Sequence, residues 1–215
     1  MRLIICMIFG SFSMLTAQNT LGLGASLSLG TSQLNGDGIQ NPQNKLSWSL
    51  GGQAQYNLGK YFAVNSGVLL QNKGGKATGS ESSGIIPKKY NYEETYNLYD
   101  AQVPIHLQVH LPLGNLKLLA FIGPDLNFNI LGSENRVYED DNYNEQNGYK
   151  NSAMSNLQVF NLGLTYGVGL SAATSAGDEY FLRIGLTNGI QPIGLLNAND
   201  AKANLGQITV GYIFR

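Results

Sequence analysis

Apolar and polar residues alternate over eight stretches of this chain, and a period of two predicts strands rather than helices. The stretches span residues 21–30, 46–58, 61–71, 96–111, 116–130, 157–172, 180–187 and 205–214. In the first, Leu21, Leu23, Ala25, Leu27 and Leu29 alternate with Gly22, Gly24, Ser26 and Ser28. The second sets Trp48, Leu50, Ala54, Tyr56 and Leu58 against Ser47, Ser49, Gln53, Gln55 and Asn57. The sixth sets Phe160, Leu162, Leu164, Tyr166, Val168 and Leu170 against Asn161, Gly163, Thr165, Gly167, Gly169 and Ser171. Ile208, Val210, Tyr212 and Phe214 close the series. No convincing amphipathic helix accompanies these strands.

Residues 103–130, "VPIHLQVHLPLGNLKLLAFIGPDLNFNI", raise the question of which face is the inside. Val103, Ile105, Leu107, Val109, Leu111, Leu116, Leu118, Ala120 and Ile122 form one face, and none is charged. The other face carries His106, Gln108, His110, Lys117, Asp125, Asn127 and Asn129, interrupted by Leu119 and Phe121. In hydrocarbon every backbone group must pair internally, and a closed barrel leaves no edge unpaired. The apolar set therefore faces lipid and the polar set a lumen. The expected fold is all-β: an eight-stranded antiparallel up-and-down transmembrane β-barrel. Short links ("LGK", "PLGN", "TSAGDE") alternate with long ones, as in barrels with tight periplasmic turns and long external loops. Trp48, Tyr56, Tyr61, Tyr96, Tyr99, Tyr180 and Tyr212 are candidates for interfacial aromatic girdles.

The third strand admits two phases. Phe62, Val64, Val68 and Leu70 face lipid if Gly59 marks an odd loop or bulge, and this phase is preferred. The alternative turns Tyr61, Ala63 and Leu69 outward and exposes Asn65 to lipid.

The composition agrees with an envelope protein. Charged residues make up 13% of the 215, with 27 glycines, 12 tyrosines and a net charge of -1. So low a charge offers nothing to nucleic acid. "MRLIICMIFGSFSMLTAQ" has a cationic start, an apolar run and a small residue at Ala17, which is the pattern of an export signal over residues 1–17. It is shorter than the roughly 20 apolar residues of a membrane-spanning helix. The expected organisation is that signal, then one barrel domain over residues 18–215 in the outer membrane with periplasmic termini. The only cysteine, Cys6, lies within the signal, so the mature chain lacks a thiol or disulfide.

An early strand "LGLGASLSLG", the "VPIHLQVHLPLGNLKLLAFIGPDLNF" hairpin and the ending "GQITVGYIFR" resemble the PorT-like, porin-family barrels of Bacteroidetes. The hairpin elements are Val103-Pro104-Ile105, a tight turn over 112–115, and Phe121-Ile122-Gly123-Pro124. The resemblance spans roughly residues 20–215 and implies an eight-stranded outer-membrane barrel without a characteristic activity. Arg215 after Phe214 departs from the aromatic final residue of many barrels.

His106, His110, Lys117, Asp125 and Arg183 are the ionisable groups expected to point inward. Extending the "PLGN" hairpin places His110 opposite Lys117 and Gln102 opposite Asp125. His106 and His110 are four residues apart on a strand, about 13 Å, too far for one metal ion. The expected role of His106, Lys117, Asp125 and Arg183 is a hydrogen-bonded, ion-paired plug, because buried charge needs partners. Glu139, Asp140, Asp141 and Glu145 form an acidic external loop that could attract calcium but lacks the glycine of an EF-hand. Lys73, Lys76, Lys88 and Lys89, in an expected glycine/serine-rich loop over 72–97, are candidates for contact with lipopolysaccharide. No nucleophile-elbow, phosphate-loop or zinc-helix motif is present. His106 and Asp125 with a serine would be the sole catalytic candidate, so no enzyme, cofactor or metal is expected.

Three functions compete. The first is a structural or interaction protein with a plugged interior and exposed loops. Its partners would be membrane lipid, the barrel-assembly machinery during biogenesis and an unidentified extracellular molecule. The second is a narrow channel or small-ligand transport barrel, and the third a soluble lipocalin-like binder.

Overall fold

The computed structural model describes residues 21–83, 88–140, 143–144, 147–154, 157–194 and 200–215. The expected signal over residues 1–17 lies outside them. The strands are β1 (Leu21–Asn35), β2 (Lys45–Asn57), β3 (Phe62–Ser83), β4 (Lys88–Leu113), β5 (Leu116–Tyr138), β6 (Tyr149–Ala153), β7 (Phe160–Ala173), β8 (Glu179–Gly189) and β9 (Lys202–Phe214). Eight of them close a ring in the order β1-β2-β3-β4-β5-β7-β8-β9, every neighbour antiparallel. The short β6 pairs with the outer part of β5 and takes no place in the ring.

The ring is inverted relative to a soluble sheet. Leu107 is 45% exposed while its neighbour Gln108 is 0% exposed, and the same opposition runs round the wall. Leu27, Leu50, Ile105, Ile184 and Val210 lie outside; Ser28, Ser49, His106, Arg183 and Thr187 lie inside. A soluble lipocalin-like barrel requires the reverse and is ruled out. The third strand takes its preferred phase, with Phe62, Val68 and Leu70 exposed and Ala63, Asn65 and Leu69 buried. Gly59 in the preceding turn holds φ +142°, where a side chain would be strained.

Three expectations need correction. The stretch 72–97 is mainly strand, not loop: β3 and β4 pair from Asn72↔Tyr99 out to Ser83↔Lys88, leaving a link of residues 84–87 only. Polar residues such as Lys76, Thr78, Ser80, Asn91, Glu93 and Thr95 stand where the ring carries outward apolar side chains, so the alternation that marks a strand is missing there. Second, the hairpin between β4 and β5 turns on Gly114-Asn115 alone, with Leu113 opposite Leu116. Gly114 takes φ +62°, the left-handed value that primed two-residue hairpin turns demand. The register is therefore displaced by two residues: His110 faces Leu119, Lys117 faces Pro112, Asp125 faces Pro104, and Gln102 faces Asn127. Third, Tyr96 is buried at 4% exposure on the inner face and belongs to no girdle. Tyr61, Tyr99 and Tyr180 are exposed on the outer wall, as expected.

Wall height is uneven. β8 has 11 residues and β4 has 26, whereas a tilted strand crosses a bilayer with about 9–11. β7 begins at Phe160 opposite Phe128, yet β5 runs on to Tyr138, about 33 Å further along the strand. The surplus of β3, β4 and β5, with β6 at its side, stands above the barrel as a blade. A register shift at Tyr99/Asp100, which leaves Ile130 unpaired on β5, marks where blade meets barrel.

Ile184 sits midway along β8 and is 55% exposed. Ile184→Lys is expected to cost about 2–4 kcal/mol of stability in lipid bilayers. Denaturant titration of the bilayer-folded protein measures this, and a neutral result would show that Ile184 does not meet hydrocarbon.

Candidate functional site

Inward side chains of all eight ring strands meet in the lumen, layered from one end to the other. At the end with short turns, Lys117 Nζ lies 3.1 Å from Glu179 Oε2, and Arg215 Nη2 reaches the same oxygen at 2.5 Å. The final residue, which departs from the usual aromatic ending, thus ties the last strand to the β7–β8 turn. Asp178 in that turn accepts from the Tyr212 hydroxyl and the Arg215 amide, and both bonds hold its carboxyl below the usual range. Leu119, Phe181 and Ile213 pack above this layer as an apolar stopper. Gly211 makes room for it, since a Cβ there would stand 2.2 Å from the Phe181 ring.

In the middle, His106 Nε2 lies 2.8 Å from Asp125 Oδ1, and Thr165 donates to the other carboxylate oxygen. Arg183 stacks on Phe181, its guanidinium carbon 4.0 Å from the ring centroid. The Gln108 amide, with its oxygen toward the guanidinium, accepts from Arg183 Nη2 at 3.0 Å and Nη1 at 3.2 Å and donates to His110 Nε2 at 3.2 Å. Around them run Ser26–Gln53–Asn65 and the hydroxyl pairs Ser28–Thr209 and Thr165–Thr187.

Nearer the blade, Lys73 and Asp100 form an ion pair with side chains 2% and 0% exposed, and Lys73 also contacts Asn161. Above them Leu34, Ala77, Tyr96, Leu98, Ile193, Ala201, Ala203 and Leu205 seal the lumen with an apolar cap. Interior space is small: one cavity of about 50 Å³ beside Arg183 and another of about 10 Å³ beside Lys73.

Of the expected cluster, the structure brings His106 and Asp125 into contact. It joins His110 to Arg183 through Gln108, and it places Lys117 apart with Glu179. The third partner of His106–Asp125 is a threonine, deep inside the wall, so no serine triad exists there. Sequence reasoning missed Lys73, Asp100 and Glu179, and it placed Lys73 on the outer surface. Parity held the signal: counting by twos from Asn65 and Gln71 reaches Lys73, and back from Gln102 reaches Asp100.

The blade is held by a second cluster. Arg136 donates to Glu94 Oε1 from Nε at 2.6 Å and to the Tyr138 hydroxyl at 3.2 Å, with its face over the Tyr92 ring. Tyr96 donates to Glu94, and Tyr138 and Tyr143 both donate to Glu81. Burial, then the nearby Glu94 charge, pushes the Glu134 carboxyl up. Of the acidic stretch, Asp140 pairs with Lys88 and Glu139 accepts from Asn91; Asp141 and Glu145 lie outside the described residues. Among the described residues no group of three or more metal-ligating side chains gathers. Lys76 pairs with Glu93. At the blade a groove of about 800 Å³ is lined by Gln40, Asn41, Ser80, Asn91, Tyr92 and Glu139, among others.

Breaking a buried ion pair by removing one partner costs about 3–5 kcal/mol, because the other charge is left alone. Lys73→Met and Asp100→Leu are each expected to lower stability by that order, and the double variant to recover most of it. Denaturant titration of the three variants measures the coupling; additive losses would show that the two side chains do not pair.

Comparison with known proteins follows from this geometry. No protein of curated function matches the sequence. Among solved structures, neisserial surface protein A (Neisseria) aligns at 11% identity over 92% of this chain and 98% of its own, with a TM-score of 0.45. The attachment invasion locus protein of Yersinia pestis aligns at 11% identity over 93% and 100%, with a TM-score of 0.38. OprG of Pseudomonas aeruginosa aligns at 13% over 93% and 97%, with a TM-score of 0.41. The model of the outer membrane protein beta-barrel domain matches residues 3–214. The chain belongs to that family of outer-membrane β-barrels.

Proposed function

We propose that this protein is a plugged barrel of the PorT-like, porin-family type of Bacteroidetes, which works through the blade it raises outside the cell. The termini and the three short turns lie in the periplasm in this reading, the blade and the remaining links outside. One observation carries it: the lumen is filled and capped at both ends, while a polar groove of about 800 Å³ lies on the blade. An eight-stranded ring has an interior just wide enough for side chains. Here His106, Asp125, Arg183 and the Lys117–Glu179 pair occupy it as a structural plug, leaving cavities of about 50 and 10 Å³. A narrow channel would need a continuous polar path, and the stopper of Leu119, Phe181 and Ile213 and the cap around Leu98 and Ile193 interrupt it.

The blade supports an interaction role. Arg136, Glu94 and the tyrosines around them make the blade rigid, and the groove beside them offers amides, hydroxyls and carboxylates. Rigid presentation lowers the entropy lost on binding. The outer wall is solvated by membrane lipid, and the barrel-assembly machinery inserts the chain. Lys89 remains an exposed cation for lipopolysaccharide beside Lys76 and Lys88, which are already paired; Lys73 drops out of that set.

Two measurements test this. An epitope tag inserted between Ser83 and Lys88 is expected to be detected on intact cells, and a tag after Arg215 only once the outer membrane is permeabilised. The opposite pattern would overturn the orientation. In planar bilayers the purified protein is expected to show no stepwise conductance, and steady ohmic channels would overturn the plug.

A further inference from the structure

Arg183 is the exception to the lumen's pairing. Lys73 pairs with Asp100, Lys117 and Arg215 share Glu179, and Asp125 is held by hydrogen bonds from His106 and Thr165. Among the described residues Arg183 has no carboxylate within ion-pair distance and is only 4% exposed. Its polar partners are neutral: the Gln108 carbonyl, and Asn65 Oδ1 at 3.5 Å, at the limit of a hydrogen bond. Asp125, the other charge facing the same cavity, already has one oxygen on His106 and the other on Thr165. A cation inside a membrane-spanning barrel without an adjacent counter-charge is costly and calls for one.

The cavity of about 50 Å³ lies where such a counter-charge would act. Arg183 lines it, together with Gln207, Ser28, Ser49, Thr187 and Thr209. Two of its buried polar atoms have no protein partner, Arg183 Nε and Gln207 Nε2, and both are N–H groups that can only donate. Register brings them near one another: Arg183 pairs with Thr209 and Gly185 with Gln207 on the adjoining strand. No acceptor lining that cavity is orphaned in the same way. Surplus donors, a positive charge and nearby hydroxyls favour an anion over a cation. Since about 10–15 Å³ of such space holds one water, the cavity admits a single small ion with its waters and excludes bulky anions.

We propose that the lumen holds one monatomic halide, chloride under physiological conditions, bound between Arg183 Nε and Gln207 Nε2 as the missing counter-ion of Arg183. The ion is enclosed during folding, so it acts as a structural ligand and not as a permeating one. The site is independent of the extracellular role of the blade.

Protein refolded from urea into detergent, at fixed ionic strength, tests the site with chloride, bromide or gluconate as the sole anion. Halide at about a hundred times its dissociation constant is expected to raise the unfolding midpoint by about 5–10 °C over gluconate, saturably. Crystals grown from bromide are expected to show one anomalous peak in contact with both nitrogens. Gln207→Glu supplies a carboxylate beside Arg183 and is expected to fold with the same midpoint in all three anions, without the bromide peak. Arg183→Gln, if it folds, is expected to lose the anion dependence as well. Equal wild-type midpoints in chloride and gluconate with no bromide peak would overturn the proposal and leave the cavity to water. So would a halide effect that persists undiminished in Gln207→Glu, since the ion would then bind elsewhere.

Discussion

A backbone that crosses hydrocarbon has no water to satisfy its N–H and C=O groups, and every other feature of this protein follows from that demand. The pairings of β1 with β9 and of β4 with β5 are therefore its decisive contacts, because they turn an open sheet into a ring without edges. Once the ring is closed, the outer face must be apolar and the inner face receives what lipid rejects. Ile105 beside His106 and Leu182 beside Arg183 express that division one residue at a time.

Enclosing polar groups creates a second demand, since each buried donor, acceptor and charge needs a partner. The lumen meets it in layers: Lys117–Glu179–Arg215 at one end, His106–Asp125–Thr165 in the middle, and Lys73–Asp100 below the outer cap. Phenyl rings fill gaps that glycines leave, as Phe181 does over Gly211. Such a plug is rigid because side chains from opposite walls share hydrogen bonds. Its layering explains why the interior reads as packed protein and not as a pore. Arg183 differs from these in being held by neutral groups, Gln108 and Asn65, and by the face of Phe181.

Beyond the ring the same strands obey different rules. Water can now satisfy backbone edges and both faces may be polar, so β3, β4 and β5 continue as a blade once they leave the ring. Arg136 with Glu94, Tyr92 and Tyr138 replaces the lipid constraint with a local network of charge-assisted bonds. A stiff surface beside an open groove is suited to recognition, whereas the ring is suited to anchoring.

The chain's alternation by itself determined the number of ring strands, their antiparallel order and the lipid-facing and lumen-facing sets, and it favoured, without deciding, the phase that β3 takes. Those properties are written in a period of two, read locally against a sharp contrast between hydrocarbon and a polar interior. Where that contrast fades, so does the signal: residues 72–83, 88–97 and 133–138 are strands without the apolar alternation, and they resembled loops. The two-residue turn at Gly114-Asn115, and with it the partner of Lys117, depended on backbone geometry that composition does not encode. Which charges meet was left to the tertiary structure, because Lys73 and Asp100 or Lys117 and Glu179 become neighbours only through the shear and closure of the ring. A single strand specifies the side each residue faces; only the assembled barrel specifies the residue it faces there.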